Sequence, residues 1–339
     1  MIKIDFEKKL NRVGLRLFDF EEKYVNEILD YEHKIVTTQN GNKTDRFSLN
    51  INVNTQASSK YKLERIFFEL YNLNNDLKLF IDTVFSSINN IRESRERLKE
   101  IILIDADTIK HKIVSIDRYP NPKPNNILKK IFDYTRDRER SNGSKGIISR
   151  FKEVDFRVCI YCNRNFISNF HTKKVKRATF TLDHFYQKDK YPIFALSLYN
   201  LVPSCAVCNT NIKGTRNVEQ YMNPYSADYD FENEVQFKLM PNYKVKLTTS
   251  NPLCYRYIKD FYHNEVYETH TLEVKEFVKK REVFTDDMIT KLSGITKHSE
   301  SRVKAFLFGD VLYKKNLDSE SLGKLKVDLA KELGIIKKR

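Results

Sequence analysis

Two C-x-x-C pairs, Cys159/Cys162 and Cys205/Cys208, constrain this chain more than any other feature. Two such pairs brought together have the spacing of a tetrahedral four-cysteine zinc site. Such a site forces a compact module, because residues far apart in sequence must meet at one ion, whose binding free energy then becomes folding free energy. The set leaves no open ligand position, so this zinc is expected to be structural. Disulfides are the competing reading. The start, MIKIDFEKKL, is too polar for a signal peptide, and no apolar run approaches about 18 residues. That predicts a soluble, cytoplasmic protein without membrane spans, in a reducing compartment where paired cysteines serve metals. Cys254 is left over and is expected to be a buried structural thiol.

Between the pairs stands Asp183-His184, at the end of the alternating run Ala178 to Phe185, and Asn209 follows the last cysteine directly. A carboxylate beside a histidine at the end of a β-rich run suggests a second, catalytic metal site. His184, neutral near pH 7, suits proton abstraction from water. Asp183 and Asn209 offer two hard oxygen ligands, enough for a Mg²⁺ or Mn²⁺ that keeps its other positions for water and phosphate. Asn200 to Pro203 reads as a second strand, Pro192 to Leu198 as a short helix, and Cys205 to Gly214 as a helix carrying Asn209 and Lys213.

The order DH, NLVP, CxxCN inside two C-x-x-C pairs resembles the HNH endonucleases of the ββα-metal type. The His-Asn-Asn series would be His184, Asn200 and Asn209. The resemblance covers about 60 residues and implies hydrolysis of phosphodiester bonds that leaves a 5′-phosphate and a 3′-hydroxyl. It implies that Asn200 is no ligand but belongs to the catalytic set by tethering the loop that orients the His184 ring. The general layout is also similar to the HNH subunits of bacterial anti-phage systems of the Septu and retron type, which pair with an ATPase. No phosphate-binding Gly-rich loop is present, so nucleotide chemistry would belong to that other chain.

Charge agrees with a polyanionic partner, DNA or else RNA: 60 Lys and Arg face 45 Asp and Glu, a net +15. From Cys159 to Thr215 eight basic residues face two acidic ones. Lys173, Lys174, Lys176 and Arg177 fall at an expected hairpin tip, where they either grip phosphates or form a solvated loop; Lys213 would touch a phosphate. A zinc-stabilised nucleic-acid- or partner-binding protein without hydrolysis, or a nuclease directed at RNA, are the alternatives.

The flanks read as helical, giving an α+β chain with a zinc-stabilised ββα-metal module at its centre. Three regions are expected: a mainly helical part over 1–145, the module over 146–222, and a tail of short strands then helices over 223–339. Met1 to Phe6 and Arg46 to Thr55 read as strands, the latter after a turn at Gln39 to Asn42. Leu63, Leu70, Leu77, Val84, Ile91 and Leu98 recur every seven residues, predicting a long helix or helical pair with a coiled-coil-like seam, and Asn72, Asn74, Asn75 and Asn89-Asn90 are the candidates for a break between two helices. That seam serves a homo- or hetero-oligomer or packs within the chain. A polar loop is expected from Arg136 to Lys145, strands at Val235 to Leu239 and Tyr243 to Leu247, and a helix over Tyr255 to Lys280. Helices are also expected at Asp286 to Leu292, Ser299 to Phe308 and Ser319 to Leu333. His263 and His270, lacking a third ligand, are expected to be packing or surface residues.

Overall fold

The computed structural model describes residues 2–34, 60–138, 146–171, 176–216, 218–314 and 317–337. Helices dominate, with four two-stranded antiparallel sheets among them, so the α+β expectation holds at that level. The sheets are β1 (Glu32–Lys34) with β2 (Lys60–Lys62), β3 (Asn169–His171) with β4 (Lys176–Ala178), β5 (Thr181–His184) with β6 (Leu201–Ser204), and β7 (Gln236–Leu239) with β8 (Val245–Thr248). The turn at 39–42, the strand at 46–55, and Lys173 and Lys174 lie outside the described residues. No helix among the described residues is long and apolar enough to cross a membrane.

The heptad stretch is three helices, Leu63–Leu73, Asn75–Val84 and Ile91–Leu103. Asparagines make the breaks. Asn74 is extended and its side chain accepts from the Leu77 amide; Asn90 does the same for the Glu93 amide. Each thereby satisfies an amide that a helix start leaves unpaired. Glu93 reaches back to the Asn89 amide at 2.9 Å, a variant of the capping box. The first helix then packs on the third, so Leu63, Leu70, Leu77, Val84 and Leu98 are buried within the chain, whereas Ile91 remains 43 % exposed. Ser94, an interruption of the apolar pattern, donates to the Glu64 carbonyl at 2.8 Å and ties these two helices.

Three further expectations are corrected. Ile2 and Ile4 form no named strand: their amides donate to the Ile160 and Pro224 carbonyls, both at 2.9 Å, and helix Phe6–Asn11 follows at once under an Asp5 cap. Tyr134–Arg138 is a helical turn with Asp137 fully buried, so the start of the polar loop expected from Arg136 is helical, and the rest of it, 139–145, lies outside the described residues. The helix expected over 255–280 is broken into Pro252–Asp260, His263–Tyr267 and Thr271–Val283, because Tyr262 adopts a left-handed conformation (φ 51°) that stops the first helix. The final helix, Gly323–Glu332, buries Leu325 and Leu329 as its stripe predicts, and Gly334 at φ 68° follows it.

Front and tail both grip the centre. Tyr24 donates to the Leu196 carbonyl at 3.0 Å and Ser197 to the Ile101 carbonyl at 2.6 Å. From the other side the Asn163 amide group donates to the Leu317 carbonyl, and its oxygen accepts from the Lys324 amide, each at 2.8 Å. One buried hydrophobic cluster runs from Ile4 to Ile335, through all three expected regions.

Candidate metal centre and the hairpin beside it

The four sulfurs of Cys159, Cys162, Cys205 and Cys208 all lie within 4.8 Å of one another, and all four residues are buried. Zinc–sulfur bonds of about 2.3 Å in a tetrahedron place sulfurs about 3.8 Å apart, so the cluster fits a metal ion such as zinc. Its construction follows from local backbone. The 159–162 turn closes when the Asn163 amide donates to the Cys159 carbonyl at 2.8 Å, and Asn163 takes the left-handed conformation (φ 52°) that asparagine tolerates. The Arg164 amide points at the Cys162 sulfur and the Cys208 amide at that of Cys205, both at 3.5 Å, while the Asn165 side chain donates to the Cys205 sulfur at 3.2 Å. Burial pushes the Cys159 thiol well above its usual value, whereas its neighbours' hydrogen bonds pull the Cys162 thiol down, as in a closely packed group of sulfurs. Cys254 is buried elsewhere as a lone thiol.

β5 and β6 form the adjoining hairpin, with Asp183 opposite Val202 and His184 opposite Leu201. The chain leaves β6 through Cys205 into a π-helix, Val207–Lys213, whose wider turn shows in the Gly214 amide donating to the Asn209 carbonyl five residues back at 2.8 Å. Strand pleating puts Thr181 and Asp183 on one face, and this helix lies over it. Asn209 donates to the Thr181 hydroxyl at 2.9 Å, and the Lys213 ammonium donates to Asp183 Oδ1 at 2.9 Å. Asp183 and Asn209 are thus brought to one face, two rungs of a strand apart.

Asp183 is 5 % exposed, and both its oxygens have partners. Oδ2 accepts from the Tyr161 hydroxyl at 2.5 Å; Oδ1 holds Lys213, which also donates to the His184 carbonyl at 2.9 Å. Burial raises the Asp183 carboxyl above its ordinary value, against the pull of Lys213 and Tyr161. The phosphate contact expected of Lys213 is not what the structure presents. Its ammonium is turned inward at 3 % exposure, because a buried carboxylate needs a counter-charge. Replacing Lys213 by Met should therefore cost about 3–5 kcal/mol of stability, read as a lowered urea midpoint. Lys176 and Arg177 lie on β4, opposite His171 and Phe170.

His184 is held from the other side. Its Nε2 lies 2.9 Å from the Ala195 carbonyl, which can only accept, so the ring proton sits on Nε2 and Nδ1 carries the lone pair. Burial lowers its pKa to about 3, which leaves the ring neutral at pH 7. The Tyr134 ring meets it edge-on at 4.5 Å. Asn200, fully buried, closes the loop that presents Ala195: its oxygen accepts from the Tyr186 amide at 2.7 Å, and its amide donates to the Phe194 and Tyr186 carbonyls at 3.0 and 3.1 Å. An Asn200→Ala variant leaves two buried polar groups, the Tyr186 amide and carbonyl, unpaired, whereas the Phe194 carbonyl keeps the Ser197 amide. At about 1–3 kcal/mol for each such group, it should lose several kcal/mol in denaturant unfolding.

Sequence reasoning did not find Tyr161, Tyr134 or Asn163. Tyr161 lies inside the first C-x-x-C, which is the one signal it offered. His263 is buried at 3 % and His270 accepts from Arg164 at 2.8 Å, and neither belongs to a metal-ligand group among the described residues. No protein-family model, curated protein or solved structure matches this chain.

Asp183 and Asn209 are hard oxygen donors on one face, with both Asp183 oxygens held by Tyr161 and Lys213 and the Asn209 amide held by Thr181.

Proposed function

We propose that this chain is a metal-dependent HNH endonuclease that hydrolyses phosphodiester bonds of DNA. The observation that carries the reading is a neutral His184, with its Nδ1 lone pair free of the Ala195 contact, next in the chain to Asp183, whose own face of the strand meets the helix that brings Asn209. His184 Nδ1 takes the proton from the attacking water. Ala195 and Asn200 fix the ring's tautomer and direction, which is a large part of what such a base needs. Asp183 and Asn209 would hold Mg²⁺ or Mn²⁺, which supplies positive charge for the phosphate and the departing oxygen. Lys213 and Tyr161 hold the Asp183 carboxylate in place. The four-cysteine zinc remains outside the chemistry.

The test is conversion of supercoiled plasmid in Mg²⁺ or Mn²⁺ by the wild type and by His184→Ala. Products should be religatable, with 5′-phosphate ends. Equal cutting by both proteins would remove His184 as base, and cutting of RNA alone would move the substrate from DNA to RNA. Metal at Asp183 has its own readout. Mg²⁺ should raise the melting temperature of Lys213→Met, where the competing ammonium is gone, and should leave that of an Asp183→Asn, Lys213→Met double variant unchanged.

The anti-phage setting, in the cytoplasm with an ATPase partner, belongs to the same proposal. Co-expression with the neighbouring gene product and a mass measurement of the complex tests it; a chain that stays alone contradicts it. One observation favours a second reading, a zinc-stabilised binding protein without hydrolysis: both Asp183 oxygens already have protein partners. Absence of cutting with every divalent ion and with the partner present would decide for it.

A further inference from the structure

Helix Pro252–Asp260 is divided into two faces. Cys254, Tyr257 and Ile258 are buried, and Phe261 continues that face. The opposite face carries Tyr255, 61 % exposed, with Arg256 and Lys259 also exposed, and beyond the helix end Tyr262, 47 % exposed. Tyr262 is held outward by a left-handed backbone (φ 51°, ψ 37°), a conformation that costs a bulky residue energy and so needs support from its surroundings. Arg216 supplies part of that support. Its guanidinium lies 5.0 Å from the Tyr262 ring centre and donates to the Tyr262 hydroxyl at 3.1 Å. Two aromatic rings thus stand in water among three cations. The nearby Asp260 carboxylate is engaged by the Tyr221 hydroxyl.

This face borders a cleft of about 570 Å³ lined by Gln220, Tyr255, Arg256, Lys259 and Asp260. It also joins the candidate site. Gln187, three residues past His184, donates to the carbonyl of Arg216 at 3.0 Å, and Arg216 is three residues past Lys213. The surface therefore begins where the hairpin and π-helix end.

We propose that this surface is a binding groove for a single strand of nucleic acid, with bases stacked on Tyr255 and Tyr262 and phosphates on Arg216, Arg256 and Lys259. Exposed rings select unstacked bases, which a duplex does not offer, and the cations track the backbone. The proposal deepens the nuclease reading by giving the strand a path to the hairpin, and it rests on that reading only for the strand's destination.

The experiment measures anisotropy of a labelled single-stranded DNA, an RNA of the same sequence, and the DNA duplex. It uses the full-length zinc-loaded His184→Ala chain without added Mg²⁺. Tyr255→Ala with Tyr262→Gly should weaken single-strand binding about tenfold or more and leave duplex binding unchanged. Glycine at 262 relieves the left-handed strain, so this variant is expected to keep its fold. Arg256→Gln with Lys259→Gln should weaken binding and lower the salt slope by about 1.4. Ring-dependent binding of either the DNA or the RNA strand supports the groove, and the pair shows which sugar it accepts. Unchanged single-strand affinity in both variants, with wild-type melting temperatures, overturns it. Ring-dependent binding, beside a wild type that cuts nothing in Mg²⁺ or Mn²⁺, keeps the groove and removes the nuclease reading; cutting by the wild type with unaltered variant binding does the reverse.

Discussion

Removing the metal from the four-cysteine cluster is expected to unfold the centre of this protein and detach its tail. Zinc bound by such sets contributes about 10–16 kcal/mol of apparent free energy, as much as or more than the about 5–15 kcal/mol by which domains are stable. The loss would not stay local. Backbone beside the cysteines is where distant parts attach: Tyr257 donates to the Tyr161 carbonyl at 3.0 Å, Tyr267 to the Cys162 carbonyl at 2.7 Å, and the Leu322 amide to the Asn163 carbonyl at 2.7 Å. Tyr161, from inside the same turn, holds Asp183. Purified protein should carry one zinc per chain by elemental measurement. Cys208→Ser should carry none and lose its cooperative unfolding transition and near-ultraviolet dichroism. A metal-free chain with an unchanged melting temperature contradicts this role for the cluster.

Much of the centre was legible because its signals are local. Paired cysteines announce a metal cluster, alternation announces β5, and the order of Asp183, His184, Asn200 and Asn209 announces a strand, loop, strand and helix. The flanks were less legible. A seven-residue apolar repeat looks the same whether it lies on one long helix or on three that fold back, and only the capping chemistry of Asn74 and Asn90 decides, at energies of about 1 kcal/mol each. The break at Tyr262 had no sequence signal, since tyrosine rarely adopts a left-handed backbone. Lys213 was misread for a different reason. A lysine one turn past a candidate ligand looks available to a phosphate until the buried carboxylate opposite it is known. Tyr161 and Asn163 act across long sequence separations, as Asn163 does on Leu317, and no local pattern encodes such contacts.

Loss of His184 is expected to have the largest effect on activity. General-base assistance contributes about 10²–10⁴-fold, and here the ring is oriented by Ala195 through a loop that Asn200 closes. His184→Ala removes the lone pair while leaving Asp183, Lys213 and the cysteine cluster in place, so zinc content should change little, and the unpaired Ala195 carbonyl should cost about 1–3 kcal/mol of stability. The most direct measurement is the single-turnover rate of plasmid cutting in Mg²⁺ for the wild type and His184→Ala, at equal zinc content. The account predicts metal-dependent cutting by the wild type and a rate lower by at least about 10² in the variant. Equal rates, or cutting that persists undiminished in excess chelator with zinc still bound, would contradict it.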